Sequence, residues 1–255
     1  MKIVASIQAR LGSSRLPGKV LKEICGKPML HWQVERIRRS RLIDNVVIAT
    51  STNPLDDEIE AFCHENSIDC YRGSEDDVLN RIASLIRDLN VNLHVECYGD
   101  SPLTDPQLID EFIGYYLKYQ DQVDFVSSTI KTTYPPGLEV VVYPGTVLDK
   151  LEQELPSNDP MREHVGYNIT RFPDTFRLIS MEAPPWFHQP DVYLEVDTAA
   201  DFQVMQYVIG YFVEKGMEHF TLAQVLDMLR SNPKLTLLNS REERRWKTLR
   251  MDSNA

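Results

Sequence analysis

Strand-like and helix-like stretches alternate through the first half of the chain, and this limits the possible folds more than any other feature. Residues 3–7, 46–49, 69–71 and 93–97 are short apolar runs of strand length. Between and after them, residues 29–39, 56–65, 76–88 and 106–119 carry apolar side chains at helical spacing. The last of these is the plainest, with Leu108, Ile109, Phe112, Ile113 and Tyr116 on one face. The segment 56–65 opens on acidic residues, which suit the positive end of a helix dipole. Parallel strands need long crossovers, and a helix is the usual one. The order therefore predicts an α/β fold with a mainly parallel sheet, helices on both faces and right-handed crossovers.

After Tyr119 the pattern changes. Short strands are expected at 125–127, 138–142, 176–181 and 193–195, separated by loops such as Tyr134-Pro-Pro-Gly137 and Ala183-Pro-Pro-Trp186. Helices at 199–213 and 221–231 follow. There is no internal repeat, low-complexity segment or linker. The expectation is one domain over residues 1–231, with a first half to 119 and an elaborated second half from 120, followed by a charged tail at 232–255. The run Arg241–Arg250 in that tail reads as a solvated or partner-packed terminal helix.

No apolar run approaches the roughly 18 residues needed to span a bilayer, and the opening strand is too short for a signal-peptide core. A cytoplasmic protein without membrane insertion is expected. Cys25, Cys63, Cys70 and Cys97 form neither a Cys-x-x-Cys pair nor a zinc-like spacing, and read as small apolar residues. The net charge of −11 argues against nucleic acid as a partner. A local basic loop still leaves room for a nucleotide.

Such a loop follows the first strand: Gln8-Ala-Arg-Leu-Gly-Ser-Ser-Arg-Leu-Pro-Gly-Lys19. Small residues between a strand and a helix expose backbone N–H groups to an anion. Five residues separate Gly12 from Gly18 where a Walker loop has four, and Val20 stands where that motif needs Ser or Thr. The dinucleotide fingerprint Gly-x-Gly-x-x-Gly is also absent. What remains is a longer loop carrying Arg10, Arg15 and Lys19, a cation set matched to a triphosphate or a departing pyrophosphate. Two acidic residues stand just beyond apolar strands, Asp100 in Gly99-Asp-Ser-Pro102 and Asp197 after Tyr193–Val196. In open α/β sheets ligands gather at that end of the strands. One or two carboxylates together with phosphate oxygens suit Mg²⁺. As structural alternatives, Asp100 could form an Asx-turn and Asp197 could cap the helix at 199.

The loop signature Arg10-x-x-x-Ser14-Arg15-Leu16-Pro17-Gly18-Lys19 resembles that of the sugar cytidylyltransferases, including the 3-deoxy-manno-octulosonate and acylneuraminate enzymes. The resemblance extends through Tyr71–Arg81, Tyr98–Asp105, Gly137-Leu-Glu139, Arg162-Glu-His164 and Glu195-Val-Asp-Thr198, nearest to the branch of the spore-coat polysaccharide biosynthesis protein F. It implies a three-layer nucleotidyltransferase fold, like that of the glycosyltransferase-A group, with a mixed, mainly parallel sheet. It also implies CMP transfer from CTP to a 2-keto sugar acid, Mg²⁺ as cofactor and a homodimer. Carried over by motif, Arg15, Lys19, Asp100 and Asp197 would do the chemistry, the two aspartates as metal ligands. Ala9, Arg10, Gly12, Ser13, Ser14, Arg72, Asp77, Arg81 and Gly99 would join Arg15 and Lys19 around the nucleotide. Glu139, Arg162 and His164 would meet the sugar. The chain departs from the octulosonate enzymes at Ser101, where those have Glu, and across the sugar half. Another nucleotide or a sugar 1-phosphate stays open as substrate. A glycosyltransferase is disfavoured because its Asp-x-Asp metal motif is missing. A non-catalytic nucleotide-binding partner would not need the intact loop and aspartates.

Overall fold

A computed structural model describes residues 1–247. Strand β1 (Ile3–Gln8) leads through the basic loop to a small hairpin, β2 (Glu23–Ile24) and β3 (Lys27–Pro28), and then α1 (Met29–Ile37). Next come β4 (Asn45–Ser51), α2 (Asp57–Glu65), β5 (Asp69–Gly73), α3 (Val78–Asp88), β6 (Leu93–Tyr98) and α4 (Pro106–Tyr119). The second half adds β7 (Phe125–Ser127), β8 (Val141–Pro144), α5 (Gly145–Glu154), α6 (Val165–Thr170) and β9 (Leu178–Ser180). It closes with α7 (Ala199–Glu214), α8 (Leu222–Ser231) and the short α9 (Lys234–Leu237).

Seven strands form one sheet in the order β5-β4-β1-β6-β8-β7-β9. The β5, β4, β1 and β6 neighbours run parallel, β8 is antiparallel to both β6 and β7, and β9 is parallel to β7. The sheet is thus mixed and mainly parallel, as the alternation predicts. Successive strand residues point to opposite faces. Ile3, Ala5 and Ile7 of β1, with Val46 and Ile48 of β4, pack under α1, α2, α4, α7 and α8. Val4, Val47 and Ala49 face the other way, into a second core made by α3, α5 and α6. Burial on both faces is what makes these strands read as continuous apolar runs.

The second half departs from the periodicity reading. Residues 193–195 join no strand of the described sheet; Leu194 N bonds to Pro136 O at 2.7 Å and Val196 N to Asp100 O at 2.8 Å. They lie against loops, so they are apolar through burial and not through sheet pairing. The strand expected at 138–142 starts later, at Val141: Gly137 turns the backbone with φ +100°, and Val140 N donates to the Ser128 side chain at 3.1 Å. The one expected at 176–181 shortens to β9. Helix α5 has the spacing Val147, Leu148, Leu151, but Pro144 and Gly145 at its start hide it as a loop. The charged run at 241–250 is anchored by its inward Arg244, whose side chain is buried; residues 248–250 lie outside the described residues.

Candidate active site

Gln8 lies opposite Tyr98 in the parallel β1–β6 register, so the chain leaves both strands at one edge. Gly99 N bonds to Gln8 O at 2.9 Å, and a Cβ on Gly99 would stand 2.7 Å from that same oxygen. This close approach brings the basic loop beside Asp100. The loop itself is pinned by apolar side chains: Leu11 and Val20 are buried, while Gly12, Ser14 and Pro17 between them are exposed. Leu11 N donates to the buried Asp56 at 2.8 Å, and Gly18 N returns to Leu11 O at 3.0 Å. Gly18 takes φ +67° at the start of the turn that carries Lys19.

A cleft of about 1110 Å³ opens at this edge. Ala9, Arg10, Gly12, Ser13, Ser14, Arg15, Lys19, Arg81, Gly99, Asp100, Glu139, His164 and Asp197 all line it. Its charged centre is a compact cluster. Lys19 Nζ donates to Val196 O at 2.6 Å and to Asp197 Oδ1 at 3.0 Å, and lies 3.7 Å from Asp100 Oδ2. Arg15 Nη2 is 2.6 Å from Asp197 Oδ2. Loss of surrounding water raises the Asp100 carboxyl above its ordinary range, Lys19 opposes this, and the charge on Asp197 adds to it. The Asp100 side chain remains 32 % exposed to the cleft, which limits that rise.

Arg81 stands on the wall formed by α3. It is only 3 % exposed, its Nη1 donates to Ser74 O at 2.6 Å, and its Nε has no partner among the described residues. Burial lowers its pKa to about 10, and the like charge of Arg10 adds to the effect. Arg10 in turn pairs with Glu163 from the second half. His164 is held below its ordinary pKa by burial, which favours the neutral imidazole.

Deeper in the second half, Gly137 N donates to Glu139 Oε2 at 2.8 Å. A Cβ at Gly137 would come within 2.3 Å of the Leu194 and Glu195 backbone, so only glycine lets the two segments meet. Glu195 accepts from Trp246 Nε1 at 2.9 Å. Burial, reinforced by the charge of Glu139, pushes its carboxyl up to about 8.

Three residues assigned to the site by motif do not line the cleft. Arg72 donates to Ser51 O and Asn53 O and pairs with Asp57 and Glu60, tying β5 to the start of α2. Asp77 caps α3 through Asn80 N and meets Arg162 Nε at 2.9 Å. That half-buried pair braces the two halves against each other. Conversely, motif reading leaves out Glu96, a fully buried carboxylate accepting from Gln8 Nε2, Tyr143 OH and Gly166 N. It holds α6 against the sheet behind the cleft walls Gln8 and Tyr98. Its signal was present: a charged residue inside the apolar strand Leu93-His-Val-Glu-Cys97 needs buried partners.

The family model for cytidylyltransferases matches residues 4–204 of the chain. The chain is 30% identical over 235 residues to the spore coat polysaccharide biosynthesis protein SpsF of Bacillus subtilis, covering 91% of this chain and 95% of that one. It is 34% identical over 114 residues to the 3-deoxy-manno-octulosonate cytidylyltransferase of Geobacter metallireducens, a match to 45% of this chain and 44% of that one. A solved cytidylyltransferase structure from Leptospira borgpetersenii superposes with a TM-score of 0.86 at 26% identity, covering 92% of this chain and 97% of that one. Sheet order, a basic loop paired with carboxylates, and a match over most of the sequence all converge: the chain belongs to the cytidylyltransferase family and is a nucleotidyltransferase.

Proposed function

We propose that this enzyme transfers CMP from CTP to a hydroxyl of a 2-keto sugar acid, releasing pyrophosphate, in the synthesis of a surface polysaccharide. The observation that carries the reading is the cluster of Asp100, Asp197, Lys19 and Arg15 inside one cleft. The likeness to a spore coat polysaccharide protein and to an octulosonate cytidylyltransferase supports the cytidine nucleotide and the sugar-acid acceptor.

Asp100 and Asp197 already share one cation, the Lys19 ammonium, so the space between them fits a positive ion. No group of three or more acidic, His or Cys side chains suited to a metal occurs among the described residues. Two carboxylates with phosphate oxygens and water completing the shell is the pattern suited to Mg²⁺. When bound, the ion would neutralise triphosphate charge and act as a Lewis acid toward the acceptor hydroxyl. Lys19 and Arg15 would then turn from the aspartates to the phosphates. The acceptor oxygen forms its bond to the α-phosphorus as the α–β bridging bond breaks, and the leaving pyrophosphate takes the electron pair. Arg15 and Lys19 stabilise that growing charge, and the hydroxyl proton passes to cleft water. Arg81 lines the cleft with no carboxylate partner among the described residues, and its guanidinium would face an acceptor group of the nucleotide.

Pyrophosphate release with Mg²⁺ tests this, with CTP, UTP, GTP and ATP each offered against sugar acids and sugar phosphates. CTP with a 2-keto sugar acid should turn over, and Asp197→Ala should abolish turnover while keeping the wild-type circular dichroism. Release from no combination overturns the reading; release from another nucleotide or a sugar phosphate overturns the substrate assignment. The same reading keeps the enzyme in the cytoplasm with its nucleotide. It also makes the enzyme a homodimer through the second half, where Trp186 and Ile130 are exposed. A monomer in sedimentation velocity at micromolar concentration would remove the dimer.

A further inference from the structure

The C-terminal strap over residues 239–247 lies outside the segment matched by the family model, yet it reaches the nucleotide loop. It is held there by an inward-facing anchor. The Arg244 side chain is buried, with Nη2 2.8 Å from Asp201 Oδ1, Nη1 3.3 Å from Glu195 Oε1, and its guanidinium 4.3 Å over the Tyr193 ring. Asn239 Nδ2 adds bonds to Tyr193 O at 3.0 Å and Asp201 Oδ1 at 2.8 Å, and Lys247 Nζ donates to Tyr193 OH at 2.7 Å. Asp201 is itself fixed as the third residue of the α7 capping box. The strap position is therefore tied to a helix end and not left to a free terminus.

With Arg244 turned inward, its neighbours reach the cleft. Glu243 O accepts from Arg15 Nη1 at 2.9 Å, and Arg245 Nη1 donates to Ser14 Oγ at 3.3 Å. Arg10 pairs with Glu163, Arg15 with Asp197, and Lys19 with both Asp197 and Asp100. Arg245 also lines the cleft, and among the described residues it has no acidic partner. A guanidinium held beside a phosphate-binding hydroxyl with its charge uncompensated seeks an anion. We infer that the strap delivers Arg245 as a fourth cation of the polyphosphate site, recognising the pyrophosphate portion of the nucleotide and the pyrophosphate product. This inference rests on the nucleotidyltransfer reading above.

Titration calorimetry with inorganic pyrophosphate and with CMP, each in Mg²⁺, tests it on the full chain. Arg245→Ala should weaken pyrophosphate binding about tenfold, the size of one partly exposed charge-assisted contact, and leave CMP binding unchanged. Arg245→Lys should recover most of the loss, since charge is retained without the planar fork. Arg245 is exposed, so thermal melting of the Arg245→Ala chain should match wild type. Equal pyrophosphate affinity in wild type and Arg245→Ala overturns the strap assignment alone, as does a parallel loss for CMP. A wild-type chain that binds neither pyrophosphate nor CTP overturns the underlying function together with it.

Discussion

Replacing Gly99 by alanine tests how closely the site depends on the spacing of two strands. The new methyl carbon would sit 2.7 Å from Gln8 O, where ordinary contact begins at 3.4 Å. Its other neighbours, the Ala9 side chain at 3.3 Å and Ala9 Cα at 3.4 Å, block sideways escape. The ends of β1 and β6 must therefore part by about 0.7 Å, stretching the 2.9 Å bond from Gly99 N to Gln8 O. Overpacking of this kind costs about 1–3 kcal/mol, which for a chain of this size lowers the melting temperature by about 3–10 °C. The larger effect should be catalytic. Asp100 follows directly and the basic loop starts at Ala9, so the same displacement separates the proposed metal ligand from the cations proposed to hold the phosphates. A misplacement near 1 Å costs up to about 100-fold in rate, so kcat in pyrophosphate release should fall about 10- to 100-fold. Gly12→Ala is the control, because a methyl there meets nothing within 4 Å. It should melt like wild type, and any rise in its KM for CTP would report how closely a phosphate approaches Gly12. A Gly99→Ala enzyme with wild-type kcat and melting temperature would refute the argument that this contact sets the site.

Glu195 supplies a pH-dependent prediction. Its native carboxyl is raised to about 8 by burial and by Glu139, so between about 4.5 and 8 the folded chain binds more protons than the unfolded chain. Stability then falls as pH rises through that window. Glu195→Gln, which keeps an acceptor for Trp246, should leave the melting temperature unchanged near pH 5 and raise it by several degrees near pH 8.5. Equal shifts at both pH values would show that the raised carboxyl does not govern stability.

The local features of the site were legible early because they depend on near neighbours in sequence. Arg15, Lys19 and the small residues around them form one continuous loop, and Asp100 follows one apolar strand by two residues. Arg72 and the pair Asp77–Arg162 show the limit of motif reading. Each sits in a segment that borders the site, but a helix cap and ion pairs turn its side chain into the framework. The approach of Arg245 to the cleft is hidden for the opposite reason. A charged run near a terminus looks solvated unless its inward anchor, here Arg244 on Asp201, is known.

Residue order and type are enough for the βαβ order, the two-faced burial of the central strands and the gathering of Arg10, Arg15 and Lys19 in one loop. All of these follow from residue periods of 2 and 3.6 and from side-chain type. The meeting of Lys19 with Asp197, 178 residues away, and the closing of Glu163, Glu195 and Arg245 around the same cleft come from the packing of distant segments. Sheet order and the loop contacts at Pro136 and Asp100 bring those segments together. Contacts of that kind leave no period in the residues that make them.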